Sequence, residues 1–279
     1  MRILIALCLV AAALPGTAHA SLCYAFVEEL RRDLPGVRYA QLGAQLGTPS
    51  ETPSVVPRSV RITYVAHSTF RIETEEGVVI ATDFFGNAGQ GGLPDAVTMN
   101  HAHSTHYTDR PDPGIANVLR GWNPAGDDPA EHLLTLGDVT IRNVTTDIRG
   151  WGAPEKDGNS IFIFEVADLC IGHLGHLHHV LDAAQYARVG RLDIVMAPVD
   201  GTYTLDLPRM VEVLKTLKAQ LVLPMHAFGP YSLQQFLLGM RDEFAVGLSD
   251  SPTIEVSFDT LPAEPTVLVL PGAGGWRND

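Results

Sequence analysis

From Val60 the apolar positions alternate, as Val60-Arg61-Ile62-Thr63-Tyr64-Val65, and Thr69 to Glu73 repeats the pattern. Successive strand side chains point to opposite faces, so this spacing predicts strands with one buried face. Val78 to Thr82 and Ala96 to Met99 are short apolar runs, the form of a strand buried on both faces. Further strands are predicted over Val139–Val144, Ile161–Val166, Leu169–Ile171, Ile194–Val199, Leu221–Met225, Ile254–Phe258 and Val267–Leu270. Helices are predicted over Asp182–Val189, Leu207–Lys218 and Ser232–Phe244. The second of these carries its apolar positions at Leu207, Met210, Val211, Leu214 and Leu217, one face of a helix. Residues 107 to 130, with several Pro, Gly and Asp, read as a long surface loop with a short helix. Strands come first, then strands and helices alternate, which suggests layered sheets with helices outside.

The N-terminal end follows other rules. Residues 1 to 20 have Arg2, an apolar run from Ile3 to Leu14, and small residues closing at Ala18 and Ala20. That is a secretory signal peptide cleaved near Ala20, and it places the mature protein in the periplasm or outside the cell. Residues 21 to 57 hold a short helix stopped by Pro35-Gly36 and a linker rich in Gly, Pro, Ser and Thr. A single domain then fills 58 to 279. Leu22 stands before Cys23 where a lipid-attachment motif needs a small residue, which argues against a lipid anchor. Cys23 and Cys170 survive cleavage and can pair in an oxidising compartment. Cys170 sits in the run Leu169-Cys170-Ile171, however, and is read as a small core residue.

Composition narrows the partners. The 279 residues are 46% hydrophobic and 18% charged, which excludes a disordered or collagenous chain. Lys+Arg number 19 against 32 Asp+Glu, a net charge of −13. A nucleic-acid binder needs a basic surface for phosphates, and docking on anionic lipid needs the same. Neither a nucleic acid nor a membrane is therefore expected as partner, and a small-molecule substrate is. The oligomeric state is left open.

Of 11 histidines, eight fall at 101/103/106, at 173/176/178/179 and at 226. Imidazole is the commonest metal ligand. An H-x-H on extended chain places both rings on one side, and a third His after two intervening residues can face a second metal.

Asp83 after an apolar strand, His101-x-His103-x-x-His106, Gly172-His173-Leu174-Gly175 and Leu223-Pro224-Met225-His226 resemble the metallo-β-lactamase superfamily. Val65-Ala66-His67-Ser68-Thr69 and Pro198-Val199-Asp200-Gly201-Thr202-Tyr203-Thr204 make residues 60 to 231 similar to its branch of small hydrolases that includes ascorbate-phosphate lactonase. The resemblance implies an α/β fold, a four-layer αββα sandwich with a metal site at the edge of two sheets. It implies ligands at His101, His103, His106 and His226 and a metal-bound hydroxide as nucleophile.

This sequence departs from the family at three positions. Thr105 stands where the motif has Asp, His176 where the family has a metal-bridging Asp, and Asp147 near the place of a family His. The expectation is one firm metal held by some of His101, His103, Asp147 and His176. A second near His106 and His226 is weaker or absent. Zn²⁺ suits such a set, with Fe²⁺ or Mn²⁺ as alternatives. The base that takes the nucleophile's proton is then Asp200, Asp147 or His179. Asp83 is expected to hold a ligand His by hydrogen bond. Asp109 is a stand-in ligand, His173 and His178 are read as packing residues, His132 as a surface residue, and His67 as either a structural or a site residue. The function expected is an exported metal-dependent hydrolase of a small ester, lactone or related substrate. The alternative is a protein of this fold that binds a metal or ligand without turnover. A β-lactam resistance enzyme fits the compartment only.

Overall fold

The computed structural model describes Cys23 and residues 58–126, 128–149 and 153–274. The export signal over 1–20 and the helix and linker over 21–57 lie outside the described residues, Cys23 excepted. In chain order the strands are β1 (Ser59–Ala66), β2 (Thr69–Thr74), β3 (Val79–Ala81), β4 (Ala96–Met99), β5 (Asn117–Arg120), β6 (Leu133–Leu136), β7 (Val139–Ile148), β8 (Glu155–Val166) and β9 (Leu169–His173). Helix α1 (Ala183–Val189), β10 (Ile194–Pro198), α2 (Leu207–Leu217), β11 (Leu221–Met225) and α3 (Pro230–Met240) follow. β12 (Ala245–Leu248), β13 (Thr253–Ser257) and β14 (Thr266–Val269) complete the set.

Two sheets result, one of six strands in the order β13-β1-β2-β3-β4-β5 and one of eight in the order β12-β14-β11-β10-β9-β8-β7-β6. Both are mixed. β3, β4 and β5 run parallel, as do β9, β10 and β11 with β14 and β12, while β6 to β9 form antiparallel pairs. Ile62, Phe70 and Ile72 of the first sheet and Ile141, Ile161 and Ile163 of the second are fully buried in one shared core. Opposite these, Phe162 and Phe164 are buried as well, so both faces of β8 are covered. The α2 side chains Met210, Val213, Leu214 and Leu217 join the same core, as a 3.6-residue period requires. Asp206 caps that helix by accepting from the Arg209 amide. The fold is the expected α/β sandwich of mixed sheets with helices.

Three strands fall where none is expected. The stretch from 107 to 130 carries β5 and, among its described residues, no helix. β6 and β12 are also additional. All three are four-residue strands at a sheet edge, with at most one buried side chain each. Such a strand needs no apolar run, because only a neighbour's backbone holds it. Cys170 also requires correction. It is buried in β9, but as half of a disulfide with Cys23, the Cα atoms 5.7 Å apart. The reading as a free core thiol rested on the apolar run around it, which a buried disulfide satisfies equally.

Candidate metal centre

Five loops at strand ends supply the site. His67 turns from β1 to β2, and His101, His103 and His106 follow β4. His176, Asp200 and His226 follow the parallel strands β9, β10 and β11 at their C-terminal ends, where open α/β sheets bind ligands. His67, Asp83 and His226 all adopt left-handed backbone, with φ of 51°, 41° and 58°. Such angles are uncommon for residues other than glycine and recur at functional sites. The His226 amide donates to the His67 carbonyl at 2.8 Å, which ties two of these turns together.

His67, His103, His106 and His226 each bring one ring nitrogen to within 4.8 Å of the others. Their hydrogen bonds decide which nitrogens carry lone pairs. Asp83 Oδ2 lies 2.5 Å from His106 Nδ1, and Asp200 Oδ2 lies 3.1 Å from His226 Nδ1. A carboxylate only accepts, so the hydrogen bond to Asp83 puts the His106 proton on Nδ1 and its lone pair on Nε2. Asp200 lies beside the buried His226 Nδ1 without hydrogen-bond geometry, and its charge favours the same tautomer there. Yet His106 Nε2 and His226 Nε2 face each other at 3.1 Å. Two lone pairs at that distance repel unless a cation sits between them. His103 engages Thr105 Oγ1 through Nδ1 at 2.8 Å, and its Nε2 points inward. His67 Nε2 is buried with no hydrogen-bond partner, a costly state for a polar atom with nothing to bind. Four imidazole nitrogens within 4.8 Å of one another, with His67 Nε2 orphaned and the His106 and His226 Nε2 atoms opposed, fit a divalent cation such as zinc.

Charge follows burial. Burial first, then the neighbouring imidazoles of His226, His106 and His103, push His67 down to about 3. His103 is lowered to about 4 by burial and by His106 and His226. His106 moves the same way, burial outweighing the attraction of Asp83. Burial would raise the Asp83 carboxyl, but His106, His173 and the hydrogen bonds from His106 and Asn100 hold it below the usual range. Asp200 is likewise depressed: burial opposes, while His226, Thr204 and the Thr202 amide prevail.

The remaining candidates divide clearly. His176 is buried, and its ring lies 4.9, 4.8 and 4.8 Å from those of His103, His106 and His226. His101 turns elsewhere: its Nδ1 meets Glu155 Oε1 at 2.5 Å and its ring stacks on Trp122 at 4.8 Å. Asp147 Oδ1 accepts from the Asp157 amide at 2.9 Å. His179 is committed at both nitrogens, Nδ1 to the Val180 carbonyl and Nε2 to the Asp147 amide. Asp200 Oδ1 accepts from the Thr202, Tyr203 and Thr204 amides, so this carboxylate braces its loop and positions His226. Asp109 shares with His101, Trp122 and Glu155 a separate cavity of about 850 Å³. His173 packs, donating through Nε2 to the Ser68 carbonyl and accepting at Nδ1 from Gly175. His132 meets the Arg120 carbonyl. His67 is the residue whose role the sequence left open. Its signal was the Val65–Thr69 phrase, but nothing in that phrase shows where the turn aims its ring.

Comparison with known proteins gives the family. The model of the β-lactamase superfamily domain matches residues 61–226, more than half of the chain. A metal-dependent hydrolase of Pyrococcus horikoshii is 23% identical over 191 residues, covering 60% of this chain and 84% of the relative. One of Anaeromyxobacter dehalogenans is 25% identical over 243 residues, covering 74% and 87%. Among solved structures, a metallo-β-lactamase superfamily protein of Thermotoga maritima superposes with a TM-score of 0.53 at 27% identity, covering 76% of this chain and 98% of that one. A Parabacteroides distasonis structure at 12% identity and a TM-score of 0.54, covering 66% and 90%, shares the fold. A sandwich with imidazoles gathered at the ends of its parallel strands, matched over these residues, belongs to the metallo-β-lactamase superfamily.

Proposed function

We propose that this protein is an exported, zinc-dependent hydrolase of small neutral esters, lactones or related carbonyl compounds. As a metal-dependent hydrolase of the superfamily, it needs a cation site of its own, since the family's carboxylate positions hold Thr105 and His176. The convergence of four imidazole nitrogens carries the reading. His67, His103, His106 and His226 would hold the ion, while Asp83 fixes the tautomer and direction of His106 and the Asp200 charge lies beside His226 Nδ1. Zinc bound there supplies a water of lowered pKa and polarises the oxygen facing it.

Substrate charge is argued from the surroundings. Phe228 packs 5.1 Å from His226 and 5.6 Å from His67, with Tyr203 against it at 5.3 Å, and both aromatic residues are exposed. The Arg149 guanidinium beside them is occupied by the carbonyls of Thr202, Tyr203 and Thr204. An apolar rim on a chain of net charge −13 favours neutral substrates over phosphodiesters. Export is supported by the leader pattern of residues 1–20 and by the disulfide, which belongs to an oxidising compartment.

The test is expression with the native leader, cell fractionation, and metal analysis of the purified protein. A panel of esters, lactones, phosphodiesters and β-lactams is then assayed with zinc added and removed. Zinc-dependent hydrolysis of an ester or lactone by the exported protein, lost in His106→Ala, is expected. A zinc-loaded protein inert toward the whole panel overturns the reading.

A further inference from the structure

His176 occupies the position of the family's bridging carboxylate, and its hydrogen bonds run in one direction. Arg149 can only donate. Its backbone amide and its Nε reach His178 Nδ1 at 3.2 and 3.1 Å, so that nitrogen is an acceptor. A neutral His178 then carries its proton on Nε2 and donates it to His176 Nδ1 at 2.6 Å. His176 Nδ1 is thereby an acceptor too, and its proton sits on Nε2. That Nε2 lies 3.1 Å from His103 Nε2, inside the cluster. The His176 amide, bonded to Asn159 Oδ1 at 2.7 Å, fixes the backbone from which the ring projects.

We propose that His176 is no metal ligand but a neutral N–H donor, aimed by Arg149 and His178 at the substrate oxygen that gains negative charge. Ligation through Nε2 requires a lone pair there, and the relay places a proton on it. The site therefore holds one cation. Once that cation takes the His103 lone pair, the His176 N–H is left without its acceptor and is free for an oxygen in the site. A donor held ready for a developing oxyanion stabilises it without reorganisation. This use of His176 rests on the hydrolase reading above; its protonation state does not.

Two measurements on the full chain decide the protonation state. Nitrogen-15 NMR of the imidazoles in metal-free protein is expected to show His176 protonated at Nε2, and His178→Ala to abolish that preference. Zinc content is expected to stay at one per chain in His176→Ala and to be lost in His103→Ala. Kinetics then test the role. Loss of one such donor lowers kcat by about 100-fold, and His176→Gln, which keeps a neutral N–H, is expected to recover part of it. Proton on Nδ1, or zinc lost with His176, overturns the assignment whatever the activity. Unchanged kcat in His176→Ala with correct tautomer and zinc overturns the catalytic role alone. If wild type with zinc hydrolyses nothing, the proposed function falls while tautomer and zinc content still decide between donor and ligand.

Discussion

At the scale of single residues, the proposed metal site depends on groups that lie behind its imidazoles. Asp83 is fully buried, accepts from Asn100 Nδ2 at 2.8 Å, and fixes His106 through its other oxygen. Partners that orient a metal-binding imidazole are worth about 10–100-fold in affinity. Asp83→Ala is therefore expected to weaken zinc binding by that factor, read by competition with a chromophoric chelator; unchanged affinity refutes the positioning role. Asp83 was legible through the family resemblance, which marks the carboxylate after that apolar strand. The grouping of His67, rather than His101, with the other imidazoles was not. His101 is drawn away by Trp122 and by Glu155, which lies 54 positions on, and His67 is aimed by a left-handed turn. Both causes are long-range or conformational, and no local spacing records them.

At the scale of elements, two features hold the loops in register. Gly175, with φ of 60°, lets the chain turn from β9 toward His176, and a Cβ there would collide with Asn100 Nδ2 and Asn159 Oδ1. Those amides bind Asp83 and the His176 backbone. Gly175→Ala is expected to cost about 1–3 kcal/mol and to lower zinc content. A denaturation midpoint equal to wild type shows that the network yields instead. The second feature is the disulfide joining Cys23 to β9 across 147 positions. Removing a native disulfide costs about 2–5 kcal/mol in small secreted domains. Cys23→Ser with Cys170→Ser is expected to fall in that range in urea unfolding, with zinc binding kept because neither sulfur meets the cluster. The strands of the core were readable because burial leaves an apolar record. The edge strands and the disulfide were not: the edge strands bury almost no side chain and so leave no apolar record, and the disulfide is defined by a partner distant in sequence.

For the whole molecule, the buried imidazoles tie stability to pH. His67 titrates at about 3, and His103 and His178 at about 4, all lowered chiefly by burial. In the unfolded chain each titrates near 6.5. Below about pH 6.5 the unfolded state therefore binds more protons than the folded one, and stability falls as pH falls. The depressed carboxyls of Asp83 and Asp200 act in the same direction, but only once pH nears the unfolded carboxyl value of about 4. The net charge of −13 works the other way, because protonation relieves repulsion. That relief comes mostly from surface carboxylates, which also titrate near pH 4. Between pH 6.5 and 5 the histidines dominate. The urea midpoint of metal-free protein is expected to drop between pH 7.5 and 5; a constant midpoint contradicts a cluster that is neutral when folded. Zinc at 100 times its Kd adds about 2.7 kcal/mol. Because burial keeps His67, His103 and His106 neutral at pH 7, zinc uptake is expected to release few protons from these three imidazoles. Titration calorimetry in two buffers of different ionisation enthalpy reads that release at about pH 6, below the pKa of about 7 of a zinc-bound water, and a buffer dependence there of several protons per zinc means that these ligands must shed protons before they bind.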